Sequence, residues 1–140
     1  MKLRPCAGWS DIDSILDRLS DQHREEYESL GYPEEPFMAN MAEFMVNSDI
    51  QVLEFDGRPQ ALLAVNPSDP IPTTWLMVTK EFFAKPSIAT VRLCRRVMEG
   101  CAAKYGPILS VSHAKHPKMA KWLKTIGFEQ INDKVFLFRT

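Results

Sequence analysis

Apolar positions along the chain recur at two periods, near 3.6 and at 2, and the switches between them mark out the elements. Lys2 to Cys6 reads as a short strand, which Pro5 confines to a sheet edge or end. Ser10 followed by Asp13 has the form of a capping box, with aspartate in place of the usual glutamate or glutamine. The helix it opens carries Ile12, Ile15, Leu16 and Leu19 on one face. Ser20-Asp21 is a point where it can break, after which Tyr27 and Leu30 continue the stripe to Gly31. Pro33 and Pro36 mark a loop, and a helix from about Phe37 to Val46 turns Phe37, Met38, Met41, Phe44 and Met45 inward. A methionine-rich face can line an adaptable groove, but packing in a core is its commoner use.

The hairpin signal is the sharpest local feature. Ile50 to Phe55 is a strand, Asp56-Gly57 the turn, and Pro59 to Val65 the returning strand. Ala61 to Val65 is apolar without a break, which predicts burial on both faces. After the proline-rich connection from Asn66 to Pro72 comes a strand from Thr73 to Thr79, then a loop from Lys80 to Pro86. Ser87 to Tyr105 is a long amphipathic helix with Ile88, Val91, Cys94, Met98, Cys101 and Tyr105 inward, and Arg92, Arg95, Arg96 and Glu99 on the solvated side. Ile108 to Val111 is a strand, and Pro117 to Ile126 a helix with Met119, Trp122, Leu123 and Ile126 at spacings of three and four. Gly127 stands where a helix ends in a left-handed residue, Phe128 restarts an extended run, and Lys134 to Phe138 is a last strand after an Asn132-Asp133 turn. The hairpin makes antiparallel neighbours and the strand–helix–strand unit after it parallel ones, so the predicted sheet is mixed. An α/β chain with a central sheet of about six to seven strands and about four helices results.

Composition narrows the picture. A chain of 140 residues suits one domain spanning residues 1–140, and 45% apolar with 25% charged residues is ordinary for a globular protein. A net charge of −1 supplies no global attraction for nucleic acid or an anionic membrane, so neither is expected as a partner. No apolar run approaches the ~20 residues of a membrane span, and MKLRPCAGW has no leader-like apolar core. Cys6, Cys94 and Cys101 show no metal-ligand spacing and read as reduced thiols of a cytoplasmic protein.

This element order resembles the GCN5-related N-acetyltransferase (GNAT) superfamily along essentially the whole chain. The most specific stretch is His116 to Phe128, HPKMAKWLKTIGF, which is similar to a family pattern N-x-x-A-x-x-x-Y-x-x-x-G-F, with Gly127 and Phe128 in register. The ending LKTIG, the aromatic closing strand and YGP before the fifth strand look like small GNAT-like proteins of short-tailed phages, among them internal virion proteins. The resemblance implies acetyl-coenzyme A as acyl donor and a small amine or protein amine as acceptor. It places Met77, Val78, Lys85, Ser87, Ile88, Ala89 and Thr90 along the cofactor, whose pyrophosphate would meet the N-terminus of the long helix.

Two departures from the pattern bear on chemistry. The family's pyrophosphate loop, Q/R-x-x-G-x-G/A, reads here from Ala84 to Ala89: alanine at the donor position, Ser87 at the first glycine, and Pro86 without an N–H. Lys80, Lys85 and the Ser87 hydroxyl are partial substitutes. The tyrosine that protonates the leaving thiolate is Leu123, and loss of a general acid puts roughly 10²- to 10⁴-fold in rate at stake. His116, His113 and Ser112 are the remaining catalytic candidates, with the histidines as bases near neutral pH; Ser110 shares the strand of Ser112, and Glu54 and Glu81 are lone carboxylates. Weak coenzyme A binding with slow or lost acyl transfer is one expectation. A non-catalytic phage virion, assembly or host-interaction protein that binds a protein partner, in the host cytoplasm or the particle, is the alternative.

Overall fold

The computed structural model describes residues 1–68, 70–84, 87–115 and 117–139. Seven strands form one sheet: β1 (Lys2–Pro5), β2 (Asp49–Phe55), β3 (Arg58–Asn66), β4 (Thr73–Val78), β5 (Ile108–Val111), β6 (Glu129–Gln130) and β7 (Val135–Phe138), in the order β1-β2-β3-β4-β5-β7-β6. All neighbours are antiparallel except β4 and β5. The helices are α1 (Trp9–Asp17), α2 (Asp21–Ser29), α3 (Glu35–Val46), α4 (Lys80–Ala84), α5 (Ile88–Tyr105) and α6 (Pro117–Thr125). The mixed sheet flanked by helices is the expected fold class. No helix among the described residues is long and apolar enough to cross a membrane.

Strand alternation divides the core into two layers. Ala61, Leu63 and Val65 of β3 and Leu76 and Val78 of β4 face α5 and α6, where Cys94, Met98, Trp122 and Leu123 close over them. Leu62, Ala64 and Met77 face α1, α2 and α3, packing with Ile12, Ile15, Tyr27, Phe37 and Met41. The unbroken run Ala61 to Val65 is thus buried on both sides. Each fully buried leucine contributes roughly 2 kcal/mol relative to its exposed state. Phe37, Met41 and Met45 belong to this core, so α3 offers no methionine-lined groove.

The hairpin closes as the sequence predicts: Asp56 at φ 55° and Gly57 at φ 73° form a turn whose twist matches the flanking strands. Three local readings need correction. The N-cap of α1 is Gly8 without a side-chain bond, so Ser10-Asp13 is no capping box. The apolar stripe from Ile12 to Leu30 does break at Ser20-Asp21 into two helices, because Ser20 caps α2 by accepting the His23 N–H. The stretch after β4 contains α4, whose first turn is held by Thr79 Oγ1 accepting the Phe82 N–H at 3.2 Å. With the break at Ser20 and with α4, the described residues form six helices where about four are expected. Ile88, expected inward, is 72% exposed, because the first turn of α5 projects past the core.

Candidate functional site in the cleft between the fourth and fifth strands

β4 and β5 pair at one point only, Thr73 opposite Leu109, with the Leu109 N–H donating to the Pro72 carbonyl at 2.8 Å. From there β4 stays with β3 through Val78, whereas β5 follows β7 through Val111. The strands therefore splay toward their C-terminal ends, as the resemblance implies, and the edge of β4 is left without a strand partner.

The first two helices supply partners instead. The N–H of Ser20, at the α1–α2 junction, donates to the Val78 carbonyl at 3.0 Å. Tyr27 Oη donates to the Leu76 carbonyl at 3.3 Å and accepts from Trp75 Nε1 at 2.8 Å. His23, 1% exposed, lies with Nδ1 2.9 Å from Ser20 Oγ. Burial lowers the His23 pKa to about 4, against a smaller opposing effect of the Leu76 carbonyl, so its ring is neutral at pH 7.

A cavity of about 130 Å³ remains in the splay, lined by His23, Glu26 and Tyr27 of α2, Ser110 to His113, and Met119, Trp122 and Leu123 of α6. Glu26 is buried, and its Oε2 accepts the backbone N–H of His113 at 2.6 Å, so one carboxyl spans the gap from α2 to the end of β5. Burial raises the Glu26 pKa, and the His113 N–H opposes the rise. Among the described residues the indole N–H of buried Trp122 has no hydrogen-bond partner.

The sequence candidates divide around this cavity. Ser112 and His113 line it, with Ser110 on the same strand. Ser112 Oγ accepts the Ala114 N–H at 3.3 Å, and His113 is exposed. Leu123, which the resemblance sets at the tyrosine position, faces the cavity as hydrocarbon. Met77 and Val78 are buried on opposite faces of β4. Lys85 and His116 lie outside the described residues. Glu54 and Glu81 are elsewhere, ion-paired with Arg4 and Arg18 at 2.7 and 2.6 Å. Among the described residues no group of three or more His, Cys, Asp or Glu side chains could hold a metal.

Sequence reading missed His23 and Glu26. The available signal was their placement: in DQHREEYES they fall three apart, with Tyr27, on the face that carries the apolar stripe.

The start of α5 is equally specific. Ser87 Oγ accepts the Thr90 N–H at 3.1 Å, and Thr90 Oγ1 donates to the Ser87 carbonyl at 2.8 Å. Ser87 thus consumes one of the free N–H groups that an anion would otherwise receive at this terminus, while Ile88 and Ala89 stay exposed. From α4, Phe82 and Phe83 pack on Trp122 at centroid distances of 5.9 and 5.8 Å, and Phe83 stacks on His23 at 6.4 Å. An aromatic cluster therefore joins the segment leading into α5 to the cavity wall.

No protein-family model matches the sequence, and no curated protein does. Solved structures do. A Streptococcus mutans UA159 protein superposes with a TM-score of 0.70 at 14% identity, covering 99% of both chains. An N-acetyltransferase from Staphylococcus aureus Mu50 gives 0.63 at 17% identity over 97% of this chain and 93% of its own. The GNAT domain of an S. lividans protein gives 0.66 at 15% identity over 96% and 86%. With its splayed β4 and β5 and the crossover helix between them, the chain has the fold of the GCN5-related N-acetyltransferases.

Proposed function

We propose that this protein is an acyltransferase-fold protein whose acetyl-coenzyme A groove is filled from within, so that the cofactor binds weakly and acyl transfer to an amine is slow or absent. The observation that carries the reading is the occupied edge of β4: the Leu76 and Val78 carbonyls are bonded by Tyr27 and Ser20. A pantetheine arm laid along that edge must displace α2. The self-capped Ser87 at the start of α5 and the hydrocarbon of Leu123 at the acid position act in the same direction.

Residues of the cleft fit the acetyl-coenzyme A role only in part. Ile88, Ala89 and the backbone of Ser87 would receive the pyrophosphate, and Met77 and Val78 would flank the arm. What acid–base chemistry the cleft retains rests on Glu26, a carboxyl held above its usual range at a cavity wall and able to take a proton from an ammonium acceptor. His113, Ser112 and His116 remain secondary candidates for the same step.

The filled groove also favours the non-catalytic reading, a virion, assembly or host-interaction component of the kind the LKTIG segment resembles. Its partner would engage a surface other than the buried face of α3. The test is thiol release from acetyl-coenzyme A over a panel of small primary amines, with Glu26→Gln as control. The expected rate is within ~100-fold of background. Turnover at an ordinary enzymatic rate of about 10 s⁻¹ overturns the proposal.

A further inference from the structure

Net charge conceals a segregation that the fold makes spatial. Residues 9–46, which form α1 to α3, hold ten acidic side chains and two arginines. Residues 87–125, which contain α5 and α6, hold eight lysines and arginines against one acid, Glu99. The two groups of helices pack on opposite faces of the sheet. Asp11 and Glu26 are buried, but the remaining eight acids leave one face acidic and the other basic, although the whole chain carries −1.

The basic side chains of α5 and α6 lie on the solvent side of the same sheet face, with Arg96 beside the groove that Asp49 and Lys104 also line. Arg92, Arg95 and Arg96 are exposed on α5, and Lys118, Lys121 and Lys124 on α6. Arg95 Nη2 donates to the Thr125 carbonyl at 2.8 Å, which ties the two helices side by side. Among the described residues no ion pair joins Glu99, four residues after Arg95, to these arginines. At Arg95 the arginine cluster, which in sequence reads as the solvated side of one helix, meets the lysine-bearing helix α6.

We propose that this α5–α6 face binds the phosphate backbone of a nucleic acid without reading its sequence. Two polyanions match such a surface by charge: a nucleic acid, and the acidic α1–α3 face of a second copy. Magnitudes separate them. Exposed lysine–carboxylate pairs between protein surfaces are each worth roughly 0–1 kcal/mol, which is too little without an interface packed to fit. A nucleic acid holds a dense row of phosphates with condensed counterions, and each phosphate neutralised by a lysine or arginine releases them. Exposed cations spaced along two helices suit that mode, which requires no shape complementarity.

The experiment is fluorescence anisotropy of the full chain with a mixed-sequence 20-base-pair DNA duplex and with a single-stranded RNA of equal length, from 50 to 200 mM salt. With about six phosphate contacts the affinity should fall about 10³-fold over that range. Replacing two lysines together, Lys121→Gln with Lys124→Gln, should lower the logarithmic salt slope by about 2 and weaken binding about 10- to 100-fold at 0.1 M salt. The acidic-face pair Glu25→Gln with Glu28→Gln should leave both unchanged. Binding to either the duplex or the RNA with this behaviour upholds the proposal and names the nucleic acid. Binding weaker than about 1 mM at 50 mM salt overturns it, as does binding that the lysine pair does not change. Sedimentation that shows salt-sensitive self-association abolished by the lysine pair, with no nucleic acid bound, assigns the face to a second copy and also overturns it.

Discussion

His23 offers a direct reading of how tightly α2 closes over the splayed strand. Its imidazole is 1% exposed and its pKa falls from 6.5 to about 4 by burial. Above pH 6.5 the ring is neutral in both folded and unfolded chains and contributes no pH dependence. As pH falls below 6.5 the unfolded chain takes up a proton that the folded chain refuses, so stability is lost progressively until about pH 4. At pH 5 the loss is about 2 kcal/mol, and it levels off near 3 kcal/mol below pH 4. With urea m-values of about 1–3 kcal/mol per molar, the unfolding midpoint should drop by about 1 M between pH 8 and pH 5. His23→Gln keeps an amide able to donate to the Leu76 carbonyl but removes the titration, so its midpoint should lack that drop. Glu26 acts with the opposite sign. Its raised folded pKa means that the unfolded chain loses its proton first as pH rises, so its contribution falls with rising pH through the region above 4.5. The difference between parent and His23→Gln removes that effect, and repeating the pair in a Glu26→Gln background checks for coupling between the two. Asp11, held below its ordinary value by Arg4, acts only at lower pH. Equal midpoint drops in parent and His23→Gln would show a ring that titrates normally, and α2 would not seal the edge of β4.

Two further predictions concern packing. Gly127 has φ +114° and completes the end of α6, its N–H bonding the Lys124 carbonyl and the Phe128 N–H the Leu123 carbonyl. A Cβ there would lie 2.7 Å from the Phe138 ring, so Gly127→Val should destabilise by at least about 2 kcal/mol, and unchanged thermal unfolding would refute the assignment. Cys94 is buried with its thiol pushed up to about 12, and Cys101 is buried as well. A thiol reagent at pH 8 should therefore label at most Cys6 in the folded chain and all three cysteines in urea; fast labelling of Cys94 would contradict the core described here.

The sheet was legible where local chemistry and tertiary structure agree. Asp56-Gly57 fixes a hairpin, Ala61 to Val65 a two-sided strand, and Gly127 a helix end, each through a single physical requirement. The break at Ser20-Asp21 was legible as a place where a helix can stop, but not the bond its N–H makes across the fold to Val78. α4 was hidden by the brevity of KEFFA, five residues nucleated by Thr79. The cleft was least legible of all. DQHREEYES reads as a polar surface helix, and only the packed fold turns His23 and Glu26 inward. Charge shows the converse limit: both signs are plain in the sequence, but their placement on opposite faces depends on which side of the sheet each helix covers.

The central claim is that the groove is filled, and calorimetric titration with acetyl-coenzyme A tests it most directly. With the groove filled and the loop lacking a side-chain donor at Ala84 and an N–H at Pro86, two lost charge-assisted bonds to phosphate amount to at least about 3 kcal/mol, or roughly 100-fold in affinity. A micromolar site would thereby weaken to a Kd of about 0.1 mM or worse. Ser87→Gly, which frees the Thr90 N–H, should recover part of the loss. Micromolar binding by the unaltered chain would contradict the account and return the cleft to the working acyltransferases whose fold it shares.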